Sequence, residues 1–260
     1  MTPNTRHYKS ATEPAINFQF SIFNFQLKNF SPTPKPETEA DITIKMTVFD
    51  FDGTLVDTLT DLALSVNRGL EAAGLPTHEI NEYRYFVGNG REKLIERAMG
   101  AASSDAALFK VVGDAFNADY ELHCGDHTRP YDGVPELLEK LSGLGIMTAV
   151  HSNKPHEFVG VIARKFFPDH SFTDAWGKKP EFLPKPDAGA LLELLRLHGV
   201  EPEEAVYIGD SDVDVMTAEN AGLRMIGVSW GFRGREELEA AGAPYVVDTA
   251  DELLQRIMQL

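Results

Sequence analysis

The sequence predicts an α/β fold, a doubly wound parallel sheet with an inserted all-helical segment. Three observations carry this reading. Short apolar runs of strand character at residues 47–49, 147–150, 205–208 and 225–228 alternate with stretches of helical periodicity. No strand pattern interrupts residues 59–127. The first three runs each lead into a polar residue, Asp50, Ser152 and Asp210, and ligands of open α/β sheets bind beyond the carboxyl ends of the strands.

Along the chain, residues 1–45 stand apart. Pro3, Pro14, Pro32, Pro34 and Pro36 bracket a segment built largely of Phe, Asn, Gln, Ile and Ser, with strand-like alternation at Ile16, Phe18, Phe20 and Ile22. Asn17, Gln19 and Ser21 interrupt its apolar run, so it does not read as a signal peptide. Met46 directly precedes the first strand, and the expectation is that the protein starts there, with residues 1–45 an over-extended reading frame or a disordered tail; a genuine tail that adds an edge strand or a partner site is the competing reading.

Residues 59–73 place Leu59, Leu62, Ala63, Val66, Leu70 and Ala73 on one helical face, ended by Gly74. Thr58 is placed to cap this helix, with Asp61 as the short-armed partner of a capping box. Helices are expected at 80–86, 91–99 and 106–122, with a turn at Gly88-Asn89-Gly90. Further helices are expected at 134–142, 155–166, 186–197 with Pro186 in the first turn, 211–221 and 251–258, and a last strand at 245–247. The expected organisation is an N-terminal extension over 1–45, an α/β core over 46–58 and 128–260, and a helical cap over 59–127.

Composition narrows the function. The 260 residues carry 40 acidic and 24 basic side chains, a net charge of −16, which disfavours nucleic acid and anionic membrane as partners. No apolar run approaches the length of a membrane span. The single Cys124 excludes an internal disulfide and fits a reducing cytoplasm. His151, His156, His170 and His198 lack the spacing of a transition-metal site.

Four stretches carry chemistry. In Asp50-Phe51-Asp52-Gly53-Thr54, Asp50 and Asp52 are two apart, so on extended backbone they point the same way, and Gly53 breaks the strand. A carboxylate can attack phosphorus when the phosphoryl charge is neutralised, and a second carboxyl beside it can serve as acid and then as base. Taken alone, Asp-x-Asp is usually an acidic surface turn. Ser152 lies between a strand and a helix start, where a hydroxyl and helix-terminal amides hold phosphate oxygens, although a serine there is more often an N-cap. Lys185 precedes a helix in Pro184-Lys185-Pro186-Asp187. Asp210 and Asp214 are one helical turn apart in Gly209-Asp210-Ser211-Asp212-Val213-Asp214.

Taken in this order, the four motifs resemble those of the haloacid dehalogenase superfamily of phosphotransferases, which has a Rossmann-like core. The resemblance implies that Asp50 is the nucleophile forming an aspartyl-phosphate and that Asp52 is the acid and base. It implies that Lys185 pairs with the nucleophile and the transferring group, and that Ser152, Asn153, Gly53 and Thr54 hold phosphate. Asp210, a side-chain oxygen of Asp50 and the backbone carbonyl of Asp52 would bind Mg²⁺, with Asp214 acting through water or orienting Lys185; an all-oxygen acidic site suits that ion. Lys154 is given at most a secondary, substrate-side role.

The helical insertion after the first motif, with Phe86-Val87-Gly88-Asn89-Gly90, Arg97-Ala98, Ser152-Asn153-Lys154-Pro155 and Gly227-Val228-Ser229-Trp230-Gly231, looks like the phosphoglycolate phosphatase branch. That implies a Mg²⁺-dependent phosphatase acting on a small phosphorylated metabolite, 2-phosphoglycolate first. By resemblance to related phosphoglucomutases, Arg91 would contact the anionic end of the substrate, or else pair with Glu92 at the surface. A pyrophosphatase, a sugar-phosphate phosphatase or phosphomutase, and a non-catalytic phosphate binder are the other readings. Oligomeric state is not legible.

Overall fold

The computed structural model describes residues 43–260, and the expectations for residues 1–42 lie outside them. Six parallel strands form the central sheet: β1 (Met46–Phe49), β4 (Met147–Pro155), β5 (Asp174–Lys178), β6 (Ala205–Gly209), β7 (Arg224–Val228) and β8 (Val246–Val247). Their order is β5-β4-β1-β6-β7-β8. The side-chain period of two sends alternate residues to opposite faces. Met46 and Val48 of β1 join Ala149, Ala205 and Tyr207 in one buried cluster, while Phe49 joins Val150, Val206 and Ile208 in the other.

Helices cover both faces. Buried residues of α4 (Val134–Gly143), α5 (His156–Phe166) and α9 (Ala250–Ile257) fill the Phe49 side, through Leu138, Leu141, Val159, Ile162 and Leu253. Those of α6 (Gly189–Leu197), α7 (Asp212–Ala221) and α8 (Gly234–Ala240) fill the Met46 side, through Leu191, Leu194, Val215 and Leu238. This is the doubly wound arrangement, since each parallel crossover must bury a helix against the sheet.

The inserted segment is helical: α1 (Leu59–Ala72), α2 (Arg91–Met99) and α3 (Ala106–His123), with 3₁₀ turns at Ile80–Tyr85 and Gly100–Ser104. Helices α1 and α3 lie close. A side chain at Gly69 would meet the Val112 carbonyl at 2.7 Å, so only glycine permits this approach. Leu62, Val66 and Leu70 of α1 and Val112, Phe116 and Tyr120 of α3 are buried in the same cluster. A short antiparallel ribbon, β2 (Val56–Asp57) with β3 (Arg129–Pro130), joins the chain just before and just after the insertion.

Several expectations are corrected. Thr58 does not cap α1; its hydroxyl donates to Asp52 Oδ1 at 2.7 Å. Asp61 is not a capping partner either. Its buried carboxylate accepts from the His127 and Thr128 amides and the Thr128 hydroxyl, at 2.7–3.1 Å, which anchors the first turn of α1 to the chain returning from α3. Residues 80–85 are helical as expected, in 3₁₀ form, whereas α6 begins at Gly189 rather than Pro186. The strands β2, β3 and β5 and the helix α8 were not expected.

Candidate active site

The sheet register gathers the site. Phe49 pairs with Val150 on one side and Ile208 on the other, so β1, β4 and β6 end level with one another. The Asp50 amide still donates to the Ile208 carbonyl at 2.8 Å, and the chain turns away immediately after. Asp50, Ser152 and Asp210, separated by up to 160 residues in sequence, therefore meet at one edge, all buried.

Lys185 is the fixed cation of the centre. Its Nζ lies 3.0 Å from Asp50 Oδ1 and 2.7 Å from Asp214 Oδ1. The other oxygen of Asp214 accepts from the Asp210 and Ser211 amides and the Ser211 hydroxyl, at 2.7–3.2 Å. Asp214 thus pairs with Lys185 through one oxygen and forms a reciprocal cap with Ser211 through the other, at the start of α7.

The charges are in tension. Burial pushes the Asp50 carboxyl up to about 6 against the pull of Lys185, with Asp214 and Asp52 adding repulsion. Burial, then Asp214 and Asp50, hold Asp210 well above the usual carboxylate range. Burial opposes the charge on Lys185, but Asp214 and Asp50 more than compensate, and its ammonium sits well above the ordinary lysine value. Burial and then Lys185 push His151 down to about 3, so it is neutral at pH 7.

Asp52 faces a different cation. Its two oxygens lie 2.9 and 3.2 Å from Lys154 Nζ, and Oδ1 also accepts from Thr58. Lys154 donates as well to the Tyr120 hydroxyl of α3 at 2.7 Å. Strand β4 continues through Lys154 to Pro155 and brings its ammonium to the Tyr120 hydroxyl of α3 and onto the second aspartate, on the wall of the pocket.

Other expected phosphate ligands have scaffold partners. The Thr54 hydroxyl donates to Asp210 Oδ1 at 3.2 Å. The Asn153 side chain donates to the Gly88 and Lys185 carbonyls and accepts from the Lys185 amide at 2.8 Å, bracing the cap loop against the Lys185 loop. Gly53 has a φ of +86°, and a side chain there would collide with the Asp210 carboxylate. Arg91 donates to Asn117 Oδ1 at 2.6 Å and lies 3.3 Å from Glu92, so the surface pairing with Glu92 is present. It also lines the pocket above the aspartates, with Ser152, Lys154, Leu94, Phe116, Tyr120 and Phe158.

The loop after β7 contributes what the sequence did not reveal. The Phe232 amide donates to Asp210 Oδ2 at 2.8 Å, and the Trp230 indole donates to the Thr54 carbonyl at 3.1 Å. A side chain at Gly231 would collide with Asp210 and the Gly53 carbonyl. A main-chain donor leaves no trace in residue type; the Gly231 that lets it approach is the available signal.

The family model for haloacid dehalogenase-like hydrolases matches residues 47–228. The chain belongs to this family. This hydrolase is 34% identical over 222 residues to a phosphoglycolate phosphatase of Vibrio parahaemolyticus, covering 82% of this chain and 95% of the relative. It is 33% identical to a phosphoglycolate phosphatase of Pseudomonas putida, covering 81% and 78%. Among solved structures, CbbY from Rhodobacter sphaeroides in complex with phosphate superposes with a TM-score of 0.67 at 26% identity, covering 84% of this chain and all of that one.

The donor set of the hydrolase fits a divalent cation. Oxygens of Asp50, Asp210 and Asp214 lie within 4.8 Å of one another, all buried, and Lys185 is the one ammonium paired with them in an ion pair among the described residues. Like charges in low dielectric need a further cation, and hard carboxylate oxygens suit Mg²⁺. The Asp52 carboxylate is turned to Lys154 instead. No histidine or cysteine joins a metal-binding group among the described residues. Cys124 is buried, with burial raising its thiol, which fits packing rather than nucleophilic attack. Among the described residues no helix is long and apolar enough to cross a membrane.

Proposed function

We propose that this hydrolase is a Mg²⁺-dependent phosphatase that cleaves 2-phosphoglycolate through an aspartyl-phosphate on Asp50. The observation that carries the reading is the division of labour between two aspartates at one strand end. Asp50 is paired with Lys185, and Asp52 is held apart by Lys154 and Thr58.

In the first half-reaction an Asp50 oxygen attacks phosphorus, the bond from phosphorus to the ester oxygen breaks, and protonated Asp52 gives its proton to the departing oxygen. In the second, Asp52, now a carboxylate, takes a proton from water as that water attacks phosphorus. The bond from phosphorus to Asp50 breaks, and inorganic phosphate leaves. Lys185 neutralises charge at Asp50 throughout, and Asp214 holds Lys185 in place. Asp50, Asp210 and the Asp52 main-chain carbonyl would hold Mg²⁺, with Asp214 behind them, and the ion would offset the negative charge of the phosphoryl oxygens. Ser152, on the pocket wall, is the side chain assigned to phosphate.

The substrate assignment draws on the pocket and the relatives together. Leu62, Leu94, Phe116 and Phe158 crowd the space above the aspartates, which suits a short leaving group, and Arg91 supplies a cation for its carboxylate. Two relatives carry the name phosphoglycolate phosphatase.

The test is phosphate release by the purified full chain with Mg²⁺, across 2-phosphoglycolate, pyrophosphate, glucose 1-phosphate and para-nitrophenyl phosphate. The expected result is the highest kcat/KM on 2-phosphoglycolate. Faster release from pyrophosphate or the sugar phosphate would move the substrate assignment. Isomerised sugar phosphate without release would replace the phosphatase with a mutase.

A further inference from the structure

One residue joins the cap to the metal carboxylate Asp210. The Phe232 amide donates to Asp210 Oδ2 at 2.8 Å, and the Phe232 carbonyl accepts from Arg84 Nε at 2.7 Å. Arg84 belongs to the 3₁₀ turn Ile80–Tyr85 of the inserted helical segment. A second arginine runs the opposite way: Arg233, next to Phe232, donates to the Val87 carbonyl at 3.2 Å and lies 5.5 Å from the centre of the Tyr85 ring. Residues 230–233 are therefore clamped to residues 84–87 by one arginine from each side.

On the core side the same loop has little freedom. Trp230 is bonded to the Thr54 carbonyl, and Gly231 passes so close to Asp210 that no side chain fits. Among the described residues the Asp210 carboxylate has two direct donors, the Thr54 hydroxyl on Oδ1 and the Phe232 amide on Oδ2. Thr54 sits in the loop after β1 and is buried. The Phe232 amide is the donor linked directly to the cap, because the carbonyl of the same residue accepts from Arg84. A carboxylate oxygen has lone pairs beyond the one taken by an amide, and fixing one bond aims the others.

We propose that Arg84 is a positioning residue for Asp210: by holding the Phe232 backbone it aims the Asp210 carboxylate at the cation, so that Mg²⁺ binding and docking of the 84–87 segment favour each other. This rests on the reading of Asp210 as a Mg²⁺ ligand. Coupling between two sites is reciprocal in free energy. Loss of Arg84 therefore weakens Mg²⁺, and Mg²⁺ steadies the Arg84 segment.

The experiment is calorimetric Mg²⁺ titration of the full chain in three forms, wild type, Arg84→Ala and Arg97→Ala, with hydrogen exchange of the wild type with and without Mg²⁺. Arg97 is the control because it donates to the Tyr85 and Phe86 carbonyls and to Asn89, bracing the same segment from within the cap without reaching Phe232. Arg84→Ala is expected to raise the Mg²⁺ Kd about fivefold or more, at the lower end of ordinary site-to-site coupling. Arg97→Ala is expected to leave it within about twofold. In the wild type, Mg²⁺ is expected to slow exchange in residues 80–90 as well as 229–233, a readout that needs no variant to fold. An unchanged Kd in Arg84→Ala, an equal loss in Arg97→Ala, or exchange in residues 80–90 indifferent to Mg²⁺ overturns the proposal. A wild type that takes up no Mg²⁺ overturns the metal reading first and the proposal with it.

Discussion

Lys154 Nζ lies 2.9 Å from Asp52 Oδ1, with the lysine side chain 2% and the aspartate side chain 12% exposed. The pair spans 102 positions of sequence. Removing one partner of a buried ion pair strands the other charge, at a cost of about 3–5 kcal/mol. Lys154→Met is expected to lose about that much stability, and Lys154→Met combined with Asp52→Asn is expected to recover part of it. Urea unfolding of the two single variants and the double variant checks this. Losses that simply add would show the two side chains to be uncoupled.

Asp61 joins the first turn of α1 to residues 127–128. Burial pushes its carboxyl up, but the hydroxyl and amide of Thr128 and the His127 donors outweigh burial and hold it below the usual value of 3.8. The folded state therefore binds this proton more weakly than the unfolded state. The stability contributed is fully present above about pH 4, near the ordinary aspartate value, and is lost as pH falls through the lower folded value. Asp61→Asn is expected to cost about 1–3 kcal/mol at pH 7, since hydrogen bonds to a charged group are worth about 1.5–3 each and the amide retains some. The variant should also lose less further stability than the wild type on acidification below pH 4, in paired melting curves.

In protein stripped of divalent cations the sign reverses at the metal carboxylates. Asp50 titrates near 6 and Asp210 above the ordinary carboxylate range, so the folded state holds protons that the unfolded state releases near pH 4, about the ordinary aspartate value. Stability of the stripped protein is expected to fall as pH rises from about 4 through about 6. Mg²⁺ at a hundredfold excess over its Kd should add about 2.7 kcal/mol. Melting temperatures across this range, with EDTA and with Mg²⁺, test it. A Tm unmoved by Mg²⁺ at pH 7 would contradict the site.

The sequence made the core legible where chemistry and local pattern coincide. Asp50, Ser152 and Asp210 each follow a buried apolar run, and Asp214 is one turn from Asp210. The helical character of residues 59–72 shows in the spacing of Leu62, Val66 and Leu70. What stayed hidden is short or non-local. The ribbon of β2 and β3 has two residues per strand, too few for a period. The edge strand β5 contains Gly177, where a side chain would collide with the Lys154 carbonyl, so packing, not propensity, chose the residue. Helix α8 buries only Leu238. The Lys154–Asp52 pair, the Asn153 brace and the Phe232 amide are contacts between distant segments, which no local window contains.

Arg91 lines the pocket while bonded to Asn117 and beside Glu92. If it receives the substrate carboxylate, Arg91→Ala should lower kcat/KM on 2-phosphoglycolate by about 2–4 kcal/mol, the range for truncating one partner of a buried charge pair. Activity on para-nitrophenyl phosphate should barely change. Equal losses on the two substrates would assign Arg91 to the fold of the cap through Asn117.

The most direct measurement is of the covalent intermediate itself. Acid-quenched protein, taken during turnover of 2-phosphoglycolate with Mg²⁺, is digested, and the peptide containing Asp50 is weighed by mass spectrometry. The account predicts a fraction heavier by one phosphoryl group at Asp50, and Asp50→Asn showing neither the adduct nor turnover. Turnover that persists in Asp50→Asn, or a phosphoryl group found on Asp52 instead, would contradict it.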